Sequence, residues 1–242
     1  MMNVSVIGIG RLGLCFCLTL EKGGYSVTGC DIIEDYVKEI NNKTFRSFEP
    51  GVNELLEQNK NFVATTDIAK AVKDSRLIFV TVATYSEADG RYDVSQIDSV
   101  VEQLISLGYQ EVEKHLVICS NVNPGYSDSI HKILSPYNWQ VSYNPETIAQ
   151  GTILHNQSKP DCVYIGADSV GLKVEIADVY ENICDNNPRI CEMDRLSAEL
   201  TKVSLNCYLT CKISFANMVG DLATKIGANP DAVLSAVGAD SR

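Results

Sequence analysis

The sequence predicts an α/β chain: a doubly wound, mostly parallel sheet followed by one long helical segment. Three observations predict it. Apolar strand-like runs alternate with helix-like stretches from residue 3 to residue 143, a glycine turn follows the first of those runs directly, and helical periodicity starting at residue 194 is sustained for more than 30 residues.

The strand candidates are residues 3–9, 26–30, 61–65, 77–82, 116–120 and 140–143. Between them lie helical stretches at 12–20, 33–41, 53–58, 68–73, 94–107 and 128–134. Strands separated by helices of this length are joined by right-handed crossovers, which makes neighbouring strands parallel and covers both faces of the sheet. Ligands of such sheets gather at the carboxyl ends of the strands. The segments to inspect are therefore 8–13, Asp31, 81–85, 120–125 and 144–151.

From residue 194 to about residue 226, Leu196, Leu200, Val203, Cys207, Cys211, Phe215, Met218, Leu222 and Ile226 recur at steps of four and three. Asp194 is placed to cap the start and Gly227 to end the helix. At 1.5 Å per residue the helix is about 50 Å long, more than the width of a domain of this size. Its second half must bury its apolar stripe against another domain or a partner subunit. The expected boundaries are 1–193 for the sheet domain and 194–242 for the long helix and the start of a dimerisation domain.

The turn reads G-I-G-R-L-G at residues 8–13, and Asp31 closes the next strand 18 residues beyond Gly13. A strand, a glycine turn, a helix and a strand ending in an acid make a Rossmann-like dinucleotide-binding unit. Gly8 permits the tight turn, Gly10 lets the backbone approach a pyrophosphate, and Gly13 lets the helix pack on the sheet. The helix start at Arg11 and Leu12 points unpaired N–H groups and a positive dipole end at the phosphates. Asp31 accepts hydrogen bonds from the adenosine ribose and repels a 2′-phosphate, so NAD is expected rather than NADP.

With 242 residues, 45% hydrophobic and 21% charged, the chain can bury a large core. Its net charge of −11 argues against nucleic acid and anionic membrane surfaces, which need a basic footprint. The apolar stretches fall short of a bilayer span, and the N-terminus enters a strand with no signal-peptide core, so a cytoplasmic protein is expected. Nine cysteines in odd number suggest mostly buried thiols rather than disulfides. Cys15 and Cys17 lack metal-site spacing, and Cys207 and Cys211 are expected to be packing residues one helical turn apart. His115, His131 and His155 form no ligand pattern and are expected at the surface or at element ends, and no metal site is expected.

Taken as a whole, the chain resembles the UDP-glucose 6-dehydrogenase family, which includes GDP-mannose and UDP-N-acetylmannosamine dehydrogenases. The resemblance runs through V-I-G-I-G-R-L-G-L, V-T-G-C-D around Asp31, E-P-G-V from Glu49, A-T-T-D to Asp67, D-G-R-Y-D-V-S from Asp89, Y-N-P-E to Glu146 and A-E-L-T-K-V-S-L-N up to Asn206. It implies oxidation of a sugar C6 alcohol to a carboxylate with two NAD, through a thiohemiacetal and a thioester on a cysteine. It also implies a nucleotide-sugar substrate and a homodimer through the long helix. By motif position, Lys202 matches the active-site lysine, Asn206 the oxyanion-binding asparagine and Glu146 the glutamate of thioester hydrolysis. An i,i+4 spacing puts Lys202 and Asn206 on one helix face.

Several positions depart from the family pattern. Asn121, in S-N-V-N-P-G, replaces a threonine at the cofactor and substrate; Gln150 replaces a carboxylate; Tyr85, after the cofactor-site Thr84, replaces a proline; and Cys162 replaces an arginine. The dinucleotide end of the resemblance is intact and its chemical end altered. The matching stretch stops at Gly238 to Arg242, before the family's catalytic cysteine, so this chain alone is not expected to complete a four-electron oxidation. Three readings follow: the N-terminal portion of a nucleotide-sugar dehydrogenase, a naturally short NAD-binding dimeric pseudoenzyme or regulatory module, or a two-electron alcohol dehydrogenase related to 6-phosphogluconate and β-hydroxyacid dehydrogenases.

Overall fold

A computed structural model describes residues 2–148 and 151–240. Contacts divide the chain into two compact units, Met1–Glu199 and Leu200–Arg242. The first unit holds eight strands, β1 (Asn3–Ile7), β2 (Ser26–Cys30), β3 (Phe62–Thr65), β4 (Leu77–Val80), β5 (Lys114–Ile118), β6 (Trp139–Tyr143), β7 (Cys162–Gly166) and β8 (Arg189–Met193). They form one sheet in the order β3-β2-β1-β4-β5-β6-β7-β8. The first six are parallel throughout. β7 joins β6 antiparallel through the single pair Tyr143↔Gly166, and β8 runs parallel to β7.

Alternation along the strands sorts the core into two layers. Val4 and Val6 of β1 face one layer with Leu14–Leu20 of α1 (Arg11–Lys22), Val37 and Ile40 of α2 (Glu34–Asn41), Leu56 of α3 (Val52–Gln58) and Ile176 and Val179 of α8 (Val170–Ile183). Ile7 faces the other with α4 (Ile68–Lys73), α5 (Ser95–Ser106) and α6 (Tyr126–Leu134). Because α1 lies between the sheet and α3, α7 (Ile153–Ser158) and α8, every residue from Gly13 to Leu20 is buried. Phe16 anchors it edge-on against Phe79 of β4, with ring centroids 5.0 Å apart.

Buried polar groups tie elements together. Glu199 accepts from the amides of Gly125 (2.6 Å) and Ser127 (2.7 Å), capping α6. Lys114 donates from Nζ to the carbonyls of Val72 and Lys73 in the last turn of α4 and of Ser75 just beyond it, where a cation suits the helix dipole. Arg195 bridges Asp128 and Asp168 and donates to the Val141 carbonyl.

The six expected strands and the expected helices are all present, and four further elements, α7, β7, α8 and β8, lie between residues 153 and 193. His115, expected at the surface or at an element end, lies at the start of β5 and not at the surface. It is fully buried in β5, its Nδ1 2.8 Å from Glu175 of α8 and its Nε2 2.7 Å from Ser142 of β6. Two polar partners on adjoining elements satisfy both ring nitrogens, so burial leaves neither without a hydrogen bond. The expectation of mostly buried thiols is also corrected. Cys15, Cys17, Cys30 and Cys119 are buried, Cys162, Cys184 and Cys191 are intermediate, and Cys207 and Cys211 are exposed, so the latter two are not core residues of this chain.

The long helix is α9 (Arg195–Ile226). Asp194 accepts from the Ser197 amide (2.8 Å) and hydroxyl (2.7 Å) at its start, and these bonds hold the Asp194 carboxyl below its ordinary range. Gly227, at φ +80°, ends it in the left-handed region. In the second unit α10 (Pro230–Gly238) follows, capped by Asn229 and started by Pro230. Along α9, Tyr208, Leu209, Ile213, Phe215, Met218, Leu222 and Ile226 are exposed. No helix among the described residues is long and apolar enough to cross a membrane.

Candidate cofactor and active site

Strand order reverses between β1 and β4, which opens a crevice at the carboxyl ends of these strands. The glycine turn follows β1 and the 81–85 segment follows β4, so both line that crevice. Gly8 has φ +87°, and a Cβ there would meet Val82 Cγ1 at 2.7 Å. At Gly13 a Cβ would overlap the Gly8 carbonyl oxygen and the Thr81 hydroxyl, whose own hydrogen bond to that carbonyl is 2.6 Å. Gly10 is different in kind: a Cβ there would meet nothing within 4 Å. Its glycine serves no packing need of this chain and leaves open space over the first turn of α1.

That first turn carries no acidic residue, and its N-cap, Gly10, has no side chain to cap it. The amides at Arg11, Leu12 and Gly13 thus start a helix whose dipole favours an anion, and Arg11 adds an exposed cation. Asp31 directly follows β2; its backbone amide bonds to Thr65 and its Oδ1 accepts from the Ile33 amide at 3.1 Å. Ile32 and Ile33 beside it are 89% and 57% exposed, an apolar shelf next to the carboxylate. Tyr36 of α2 donates to the Ile9 carbonyl at 2.7 Å, fixing the turn to the segment that carries Asp31. An anion-binding helix start, an acid at the end of β2 and open space at Gly10 fit a dinucleotide.

The neighbouring strand ends carry the remaining positions. Thr84 is partly buried after β4, and Tyr85 is exposed. Ser120, after β5, donates to the Val82 carbonyl at 2.6 Å, tying the β4 and β5 ends together, and partly buried Asn121 follows it. Asn123 exchanges hydrogen bonds with both backbone groups of Tyr92 at 3.0 Å, docking the D-G-R-Y-D-V-S segment on the same loop.

Glu146 follows β6 in a turn held by Asn144. Asn144 accepts from the Tyr180 hydroxyl (2.7 Å) and donates to the Tyr164 carbonyl (2.8 Å). Gln157 of α7, 4% exposed, donates weakly to both Glu146 carboxylate oxygens (3.3 and 3.4 Å) and accepts from Thr19 of α1. Glu49, 6% exposed, accepts from the amides of Gly151 (3.0 Å) and Ile153 (2.7 Å) at the start of α7. Burial, followed by the charges of Glu49 and Glu146, pushes the Cys15 thiol up to about 12. Burial also drives Cys17 and Cys119 well up, and Glu146 adds to the rise at Cys119. These thiols are sealed in the core as well as held protonated, so they do not serve as nucleophiles.

The first unit thus brings the glycine turn, Asp31, Thr84, Asn121 and Glu146 to one end of the sheet. Lys202 and Asn206 belong to the second unit, where they lie one turn apart on one face of α9. Gln150 lies outside the described residues. The sequence marked the segments that hold Thr81 and Asn144 without giving either a role, and it missed Tyr36, Gln157 and the role of Glu49. Glu49 stood in a motif with no chemistry to mark it, and Gln157 lay in a helix the pattern did not reveal. Among the described residues no three His, Cys, Asp or Glu side chains gather to hold a metal ion.

Residues 2–184 match the NAD binding domain of the UDP-glucose/GDP-mannose dehydrogenase family, and residues 196–242 match its central domain. An uncharacterized protein of Methanocaldococcus jannaschii is 35% identical across the whole chain, which covers 27% of it. The UDP-glucose 6-dehydrogenase YwqF of Bacillus subtilis is 28% identical, with all of this chain and 56% of that protein aligned. Among solved structures, a ternary complex of GDP-mannose dehydrogenase from Pseudomonas aeruginosa superposes with a TM-score of 0.93 at 25% identity. A UDP-glucose dehydrogenase from Pyrobaculum islandicum gives 0.90 at 28%; each comparison covers all of this chain and 57% of the other. The chain spans little more than half the length of the UDP-glucose 6-dehydrogenases it matches. It belongs to the UDP-glucose/GDP-mannose dehydrogenase family.

Proposed function

We propose that this chain is the NAD-binding and central-helix portion of a cytoplasmic nucleotide-sugar 6-dehydrogenase, which oxidises the C6 alcohol of a nucleotide sugar to the uronate. UDP-glucose is the first substrate to test. The observation that carries the reading is the open space at Gly10 over a helix start that has no acidic residue, with Asp31 at the neighbouring strand end. NAD, when bound, supplies the hydride acceptor. The amides from Arg11 to Gly13 hold the pyrophosphate, and Asp31 binds the ribose. Thr84 and Asn121 flank the nicotinamide end, Asn121 offering both a carbonyl acceptor and N–H donors.

Catalysis needs a group to take the alcohol proton, a donor for the developing oxyanion, and a carboxylate to manage water. Lys202 and Asn206 supply the first two functions from one face of α9, and Glu146 the third. The exposed apolar side chains of α9 form the seam of a homodimer. In the enzyme as isolated from its source, Lys202→Ala should abolish NADH formation while NADH affinity changes less than twofold. A normal rate would end the catalytic role of Lys202.

A second reading is favoured by Asn121 and Tyr85, which alter the chemical end while the dinucleotide end is kept. In it the chain is an NAD-binding dimeric partner without turnover. NADH binding with no reduction of NAD by any nucleotide sugar would select it.

A further inference from the structure

We propose that Cys162 and Cys191 form a redox-sensitive dithiol site, which a low-molecular-weight disulfide such as oxidised glutathione converts to an intrachain disulfide joining β7 to β8. The two Sγ atoms are 3.1 Å apart and share a hydrogen bond. A disulfide bond is about 2.05 Å long, so the sulfurs need approach by only about 1 Å. Both residues are intermediate in exposure, within reach of a small oxidant, whereas Cys15, Cys17, Cys30 and Cys119 are sealed in the core.

The sheet explains how this pair can close. The register sets Cys191 opposite Tyr164 and Cys162 opposite Arg189, so the thiols meet on the diagonal of a parallel pair. Diagonal positions are farther apart in backbone than directly opposed ones, so closing the bond asks for a small shift of one strand against the other. β8 is the last strand of the sheet and pairs with β7 on one side only, which leaves it room to shift against β7 on closure. Cys162 also lines the pocket that Glu146, Gln157 and Tyr180 share, so the modification alters a wall of that pocket.

The chemistry balances with one oxidant. The Cys162 thiolate attacks one sulfur of oxidised glutathione, breaking its S–S bond and releasing one glutathione thiolate, which takes up a proton. Cys191, losing its proton to solvent, attacks Cys162 Sγ of the mixed disulfide and releases the second glutathione. Two thiols are oxidised and one disulfide is reduced to two thiols. Burial and the Cys191 thiol hold Cys162 up at about 11, against the Tyr164 hydroxyl and Arg189. The reactive thiolate is therefore scarce at neutral pH, and the rate should rise about tenfold per pH unit from pH 7 to 9.

The test exposes the protein to oxidised glutathione, traps remaining thiols with an alkylating agent, and maps linked peptides by mass spectrometry. The wild-type chain should yield a Cys162–Cys191 linked peptide that reductant removes, with Cys162 and Cys191 lost together whatever glutathione the exposed Cys207 and Cys211 take up. Cys162→Ser and Cys191→Ser should each stop at a mixed glutathione disulfide on the remaining partner, with Cys207→Ser and Cys211→Ser in the background to remove the exposed thiols. Recovery of both Cys162 and Cys191 as alkylated thiols, or of each carrying its own glutathione, would overturn the proposal. The wild-type map decides it even where a variant fails to fold.

Discussion

Replacing Asp31 separates cofactor choice from folding. One of its oxygens accepts the Ile33 amide at 3.1 Å, which leaves the other oxygen and the remaining lone pairs for the ribose hydroxyls. Hydrogen bonds to a charged group contribute about 1.5–3 kcal/mol each. Asp31 is only partly buried, so a value near 2 kcal/mol is appropriate for the set. Asp31→Ala should then weaken NADH binding about 30-fold, since 1.4 kcal/mol is a factor of ten. NADPH binding should fall much less, because the lost hydrogen bonds are offset by relief of repulsion from the 2′-phosphate. Asp31→Asn keeps an acceptor for the Ile33 amide and should reproduce the shift in preference with an unchanged melting temperature. NADH and NADPH fluorescence titrations read both affinities on the same protein. Equal losses for the two cofactors would refute the assignment of Asp31 to the ribose.

Other substitutions probe the same account. Gly10→Ala should leave the melting temperature unchanged and weaken NADH binding at least tenfold, whereas Gly13→Ala should lower the melting temperature, because its Cβ overlaps the Gly8 carbonyl; the reverse pattern would contradict the roles given to the two glycines. Glu199→Ala strips partners from the Gly125 and Ser127 amides and should cost about 2–4 kcal/mol in urea unfolding; a loss under 0.5 kcal/mol would show that the carboxylate does not hold α6. Leu222→Glu or Phe215→Glu should convert a dimer to monomer or insoluble protein by light scattering, and an unchanged soluble dimer would rule out the α9 seam.

Much of this architecture is legible in the residues because local and tertiary signals agree. The first six strands each pair an apolar run with a turn residue, and α4 matches its expected span, 68–73, because Asp67 caps it with two hydrogen bonds. The region from 153 to 193 was not legible. In α8 the apolar residues Val170, Leu172, Val174 and Ile176 alternate as in a strand, while the buried set Leu172, Ile176, Val179, Tyr180 and Ile183 follows helical spacing. β8 lies at the sheet edge and mixes Arg189 and Glu192 with Ile190, which hides its period. The burial of His115 is not legible in the sequence because its partners, Glu175 and Ser142, are distant along the chain and meet only in the folded sheet. The glycine turn and Asp31 could be read because each residue's duty is local. The supports of Glu146 could not, since Gln157 and Glu49 reach it through α7.

The central claim is that this chain serves a nucleotide-sugar dehydrogenase, and the stoichiometry of NADH formed per nucleotide sugar tests it most directly. The protein isolated from its source would be given limiting UDP-glucose, GDP-mannose or UDP-N-acetylmannosamine with excess NAD, and NADH followed to completion. The account predicts two NADH per molecule of one of these sugars. One NADH per sugar, or none with all three while NADH still binds, would contradict it.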